Sequence, residues 1–401
     1  MIELGSSKYK QVTYSLAIGS FIIFCNLYLF QPILPHMAEH FQVSETQINW
    51  LFASTTLALS LSLVPWAVSS ESFGRKPVIL FGMFAIPVVG ITMLLTDSLL
   101  MLVAARAVMG VAIAAFAAVA VAYMVEELTP QAFSMAIGGY IAANSLGGIF
   151  GRVAGGILTD YFSWKAAVLF FVLFSFSGAL FVLFKLPEQR HFKPQKGLFF
   201  HHNRAVLKHI ANKNIWLAML IGGANFALFV NLYSVMGFRL VAQPHNLPVA
   251  LASLIFLCYL AGTLSSKLSG FWAKKHNPLL GMALGSVISM FGMWVSAFEY
   301  MPTMLLGLIL ISFGAFFTHT LAYAWVSQKA TTAKATATAL YLVHYYVGGS
   351  LGGFVLLYCW QAFQWEGVIW GGMLFYTAIF LLLHSLYRLT NISLETATSS
   401  H

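Results

Sequence analysis

Two arginines, Arg106 and Arg152, and two histidines, His319 and His344, stand inside long apolar runs of this 401-residue chain. A permanent charge in an apolar medium is costly, so each guanidinium needs carbonyls, polar side chains, water or an anion to answer it. None of the twelve acids falls in the middle of an apolar run. For Arg152 two answers are open: an outward reach to Asp160 or to backbone carbonyls, or a cavity position that attracts an anionic group on a ligand. Arg106 reads either as a structural or proton-relay residue or as a ligand contact. Histidine is the one unperturbed side chain that exchanges protons near neutrality. His319 and His344 are therefore the candidates for proton coupling. Asn26, Tyr28, Asn144, Asn225, Asn231, Tyr341 and Tyr345 are the other polar candidates for a cavity lining, and Phe24, Phe226, Phe229 and Tyr233 could add an aromatic wall. Each also has a plainer reading as a packed or hydrogen-bonded helix contact.

The elements that must position these residues follow from composition. The chain is 59% hydrophobic and 8% charged, with a mean hydropathy of +0.81. A soluble domain carries about 25% charged residues and cannot cover this much apolar surface. A soluble enzyme, a disordered chain and a secreted disulfide scaffold are excluded. Continuous runs of about 20 residues, rather than alternation, point to membrane-crossing helices and away from a β-barrel. Cys25, Cys258 and Cys359 are odd in number and far apart, so neither a disulfide framework nor a zinc site is implied. The first apolar stretch is too long for a signal-peptide core and reads as a retained span.

Twelve segments are long enough to cross: 12–34, 47–69, 77–95, 99–124, 134–158, 164–186, 214–236, 249–271, 278–297, 303–326, 336–358 and 366–388. With the N-terminus inside, 17 of the Lys and Arg residues collect at inner ends and two, Lys165 and Arg239, in outer loops. That asymmetry is a topology signal, so the net charge of +9 does not indicate nucleic acid. Both termini are expected in the cytoplasm. The polar, basic stretch 187–213 reads as a cytoplasmic linker between bundles 1–186 and 214–401. Its His191, His201, His202 and His209 fit no standard ligand set, so no metal is expected. An internal repeat supports the division: Gly147, Gly148, Gly151 and Trp164 recur as Gly348, Gly349, Gly352 and Trp365, all at an offset of 201. Duplicated halves around a midplane site are a transporter architecture.

Several motifs point the same way. Glu71-Ser72-Phe73-Gly74-Arg75-Lys76 lies between spans two and three, with a degenerate copy at 270–277. Gly74 allows a tight reversal, and Arg75 and Lys76 hold the loop at the surface. Arg106-Ala107-Val108-Met109-Gly110 lies in span four. Gly147, Gly151 and Gly155 make a bare stripe on span five that lets a neighbouring backbone approach. Gln31-Pro32-Ile33-Leu34-Pro35 and Leu186-Pro187-Glu188 close spans one and six. With these marks the chain resembles the major facilitator superfamily over nearly its whole length. It is similar to the drug:proton antiporter branch and its bacterial arabinose-efflux-like members. Ala67, Glu71, Ser72, Met109 and Arg152 depart from the usual residues.

The resemblance implies an all-α polytopic membrane protein with twelve transmembrane helices in two six-helix halves enclosing a central cavity. It implies a monomeric inner-membrane secondary transporter without a cofactor, exporting a small amphipathic organic compound by alternating access, coupled to protons and surrounded by membrane lipids. Glu71, Gly74, Arg75, Lys76, Gly147, Gly151 and Gly155 would serve conformational gating, with Glu71 docking near Thr336. An organic anion or anionic lipid-like substrate is the alternative that the two arginines suggest. A membrane enzyme would need a carboxylate pair, a nucleophile grouping or a metal cluster, and none appears at convincing spacing. A non-transporting sensor is the remaining rival. No phosphate-binding loop is present, which excludes ATP hydrolysis by this chain as the driver.

Overall fold

The computed structural model describes residues 1–192 and 199–398, the side chains of 199–203, 335 and 392–398 excepted. The linker positions 193–198, with Lys193 and Lys196, and the side chains of His201 and His202 therefore lie outside the described residues. Among the described residues, eleven helices are long and apolar enough to cross a membrane. The last of these, Lys334–Thr398, holds two spans, because its helical geometry breaks at Phe363 and Gln364, where φ becomes +52°. Spans one to six are Ser7–Tyr28, Trp50–Phe73, Arg75–Leu94, Leu99–Glu127, Pro130–Tyr161 and Trp164–Lys185. Spans seven to ten are Lys213–Val241, Val249–Lys275, Pro278–Val295 and Met301–Lys329. Spans eleven and twelve flank the break.

Local chemistry sets most ends. Ser6, Ser98, Thr129, Ser163 and Asn277 each accept a hydrogen bond from the first turn of the helix that follows. Pro130 and Pro278 occupy the first helical position, where a missing N–H costs nothing. The expected segments differ from the structure in four places. Span one stops at Tyr28 rather than 34, and a separate helix, Leu34–Phe41, follows. Pro32 and Pro35 cannot donate to the ladder and bias the residue before them away from helix. Span four is interrupted at Ala118 and Val119. Span eight runs as a 3-10 helix over Ser253–Cys258. Within the expected linker, Phe199–Ala211 is a helix.

The chain forms two compact units: Met1–Phe199 with Leu240–Leu254, and Phe200–Arg239 with Ile255–His401. In the first unit, span five lies backbone to backbone on span one. A Cβ added at Gly147 would sit 2.8 Å from the Phe21 Cα, one at Gly151 2.6 Å from the Cys25 Cα, and one at Gly155 3.0 Å from the Leu29 carbonyl oxygen. The second unit repeats the seam: a Cβ at Gly348 would meet the Gly223 Cα at 2.9 Å and one at Gly352 the Ala227 Cα at 2.7 Å. The sequence repeat is thus a repeat of one helix contact.

Candidate functional site

Arg106 is 1% exposed, and its guanidinium is answered by backbone alone. Nε donates to the Leu51 carbonyl at 3.0 Å, Nη1 to Asn26 at 2.8 Å and Nη2 to Leu27 at 2.9 Å. Asn26 and Leu27 lie in the last turn of span one, where carbonyls have no intrahelical donor. The early end of that helix creates these acceptors, and Arg106 caps them from span four. The Phe30 ring lies 4.9 Å from the guanidinium carbon. The three bonds join span four to spans one and two. Asn26 turns its amide to the Ile22 carbonyl at 2.9 Å and the Ser175 hydroxyl at 2.8 Å, joining spans one and six.

Arg152 is also 1% exposed and is held by a side-chain amide, a backbone carbonyl and an aromatic ring. Nε donates to Gln31 Oε1 at 2.7 Å and Nη1 to the Gly148 carbonyl at 3.0 Å. The guanidinium carbon lies 3.6 Å from the centre of the Tyr28 ring, a cation–π contact. Asp160 is exposed eight residues further on, roughly 12 Å along the helix. Asn144, one turn before Gly148, is half-buried and accepts a hydrogen bond from Ser20. Tyr28, Gln31, Asn144 and Arg152 thus form one polar strip where spans one and five meet. Gln31 is noted in the sequence only as part of a motif; its role follows from the turn that Pro32 imposes.

The loop after span two is a knot of charges. Gly74 has φ +99°, a value that disfavours any side chain. Arg75 pairs with Glu126 at 2.7 Å and donates to the Ser70 hydroxyl at 2.5 Å. Lys76 pairs with Glu188 at 2.5 Å. Gln189 Oε1 accepts from the Arg75 and Lys76 backbone N–H groups at 2.7 and 3.2 Å and so caps span three. Glu127, 1% exposed, accepts from the N–H groups of Arg190 and His191. Glu71 is half-buried in the last turns of span two. Glu126, Glu127 and Gln189 are partners that spacing alone does not reveal. Gly74→Ala is expected to cost about 1–3 kcal/mol, because φ +99° with ψ 156° is a conformation that an L-residue resists. The methyl would also meet the Gln189 side chain. Thermal unfolding in detergent measures this, and an unchanged melting temperature would contradict it.

In the second unit the candidates gather around His319. Its Nδ1 lies 2.9 Å from the Tyr341 hydroxyl, which donates to the His319 carbonyl at 3.2 Å. The Tyr341 proton being so used, Nδ1–H is the donor of the shorter contact and Nε2 is the basic nitrogen, an assignment made from the network. His344 Nδ1 faces the Leu340 carbonyl at 2.8 Å, which can only accept, so Nε2 is again the basic nitrogen. Tyr345 lies 4.4 Å from the His319 ring and stacks on Phe226 at 3.8 Å and 14°. The aromatic row continues through Phe229, Tyr233, Tyr259 and Phe316. Tyr259 and Phe316, on spans eight and ten, extend the expected wall. Asn225 donates to the Ala315 carbonyl at 2.9 Å, and Asn231 to Ala227 and Gly349 at 2.8 and 2.9 Å. Both amides brace helices. Arg239, expected in an outer loop, lies in the last turn of span seven and donates to the carbonyls of Ser296 and Ala297 at 2.6 and 2.9 Å. Outside the spans, Lys165 donates to Asp97 at 2.6 Å, which lowers the pKa of that carboxyl.

Comparison with known proteins agrees with this architecture. A profile of the Major Facilitator Superfamily matches residues 16–353. The MFS-type transporter YybF of Bacillus subtilis (strain 168) is 30% identical over 390 residues, 96% of this chain and 94% of YybF. The inner membrane transport protein YnfM of Escherichia coli (strain K12) is 30% identical over 371 residues, 92% of this chain and 88% of YnfM. Among solved structures, the inward-facing, occupied form of a bacterial homologue of the human lysosomal transporter Spinster gives a TM-score of 0.76 at 15% identity, covering 96% of this chain and 98% of that one. The human organic anion transporter MFSD10 gives a TM-score of 0.70 at 17% identity, covering 93% and 99%. The chain belongs to the Major Facilitator Superfamily. It is a multi-pass membrane protein and a secondary transporter of that family.

Proposed function

We propose that the chain is a bacterial inner-membrane exporter of small amphipathic compounds bearing an aromatic ring, working by alternating access and driven by protons. Both termini are cytoplasmic in this reading, as the cation asymmetry requires, and the two six-helix bundles 1–186 and 214–401 are joined by the linker 187–213. The observation that carries it is the group His319–Tyr341–Tyr345–Phe226, which joins a stacking surface to a titratable ring. An offset-stacked ligand ring gains about 0.5–1.5 kcal/mol beyond its burial. Protonation of His319 or His344 at Nε2 would place a charge beside that surface and change its affinity for the ligand. The glycine stripe 147–151–155 and the Glu71–Lys76 loop would govern the change of state.

A second reading, an organic anion as substrate, is favoured by Arg152, a buried cation whose guanidinium lies over Tyr28. Proteoliposomes with an imposed pH gradient and a panel of cationic, neutral and anionic fluorescent amphipaths separate the readings. Uphill transport of aromatic compounds is expected, with Tyr345→Ala slowing it roughly tenfold. The double variant His319→Gln/His344→Gln should bind ligand and lose the response to the gradient. Uphill transport by that double variant would remove the histidines from the coupling step, and preference for anions alone would favour the second reading.

A further inference from the structure

A groove of about 400 Å³ opens between the start of span seven and the end of span twelve, lined by Lys213, Trp216, Leu217, Ser385, Arg388 and Leu389. Lys213 and Arg388 are both exposed, and among the described residues no carboxylate pairs with either. Lys213 is also the first residue of its helix, where the aligned peptide dipoles already leave partial positive charge. Two cations and a helix N-terminus therefore meet over an apolar floor that contains Trp216, 37% exposed. Tryptophan favours the boundary between hydrocarbon and headgroups.

The helix leading into Lys213 adds an independent observation. Phe199–Ala211 is pinned to the chain before span eleven: His209 Nε2 lies 3.2 Å from the Ala333 carbonyl, and Lys208 donates to the Thr332 hydroxyl at 3.4 Å. Leu207 nevertheless remains 68% exposed and Ile210 37%, between Arg204, Lys208 and Lys213. Apolar side chains held among cations in this way suit the surface of an anionic membrane.

We propose that this groove binds an anionic phospholipid, its phosphate between Lys213 and Arg388 and its acyl chains along Trp216, Leu217 and Leu389. A soluble anion would satisfy the two cations but not the apolar floor. A neutral lipid would cover the floor and leave the cations unanswered.

The test uses the purified full chain in micelles, with phosphatidylglycerol and phosphatidylcholine added in equal amounts and bound lipid counted by native mass spectrometry. The wild-type protein should retain phosphatidylglycerol over phosphatidylcholine by roughly tenfold, given the attraction of two cations to an anionic headgroup. The double variant Lys213→Gln/Arg388→Gln should lose most of that preference, while Lys213→Arg/Arg388→Lys keeps it. The control Lys8→Gln/Lys10→Gln removes the same charge from exposed positions of the other unit and should leave the preference intact. Equal retention of the two lipids by the wild type would overturn the proposal. So would an undiminished preference in the Gln double variant, or an equal loss in the control. All variants change exposed side chains, and circular dichroism checks that the helices persist.

Discussion

Arg106→Leu is expected to destabilise the first unit by about 2–4 kcal/mol, although leucine is the better side chain for an apolar interior. The leucine removes a buried charge, which favours the variant. It also strips the donors from Asn26 and Leu27, whose carbonyls end span one without partners in their own helix. Each orphaned buried acceptor costs about 1–3 kcal/mol, and in hydrocarbon there is no water to replace the donor. Arg106→Lys should fall between, since one ammonium cannot reproduce the planar fork that spans Leu51, Asn26 and Leu27. Thermal unfolding in detergent, followed by tryptophan fluorescence, reads the difference. A melting temperature equal to that of the wild type for Arg106→Leu would mean that span one finds other donors.

Arg152→Gln should act on ligands more than on folding. Its guanidinium is held by Gln31 and Gly148 and lies over Tyr28. If it meets a ligand's anionic group, removing it lowers affinity for anionic amphipaths by about 2 kcal/mol, roughly thirtyfold, and for neutral ones far less. Arg152→Lys keeps the charge and loses the planar fork, so it should recover part of the affinity. Ligand titrations and melting curves on the same preparations decide the matter. Equal losses for anionic and neutral ligands, together with a lowered melting temperature, would make Arg152 a structural tie.

The spans were legible because hydrocarbon imposes one requirement on about twenty consecutive residues. What tertiary contact decides was not legible. Nothing near Val119 announces the interruption of span four, and nothing in the run 249–271 marks a 3-10 segment over Ser253–Cys258. The prolines at 32 and 35 carried the signal that shortens span one, but the apolar run around them concealed it. Among the candidates, those proposed for the chemistry of their side chain could be named: Arg152, His319, Tyr345. Those that act through position could not. Arg106 is answered by three carbonyls, which every residue possesses, so its spacing said that a partner was needed without saying which. Gln189 caps span three from a position more than a hundred residues away in sequence.

The seam between spans one and five has a consequence for their spacing. Gly147, Gly151 and Gly155 meet the backbone of Phe21, Cys25 and Leu29 with no side chain of their own between the helices. A seam built from leucines gives up rotamer freedom when it forms and keeps the option of repacking when it is strained. Glycine has no rotamers to lose, so this one forms without that entropic cost and has no alternative packing to relax into. A side chain added at Gly147 or Gly151 would have to push the two backbones apart, so the distance between spans one and five, and with it the placement of Arg152 against Tyr28, depends on these positions staying bare.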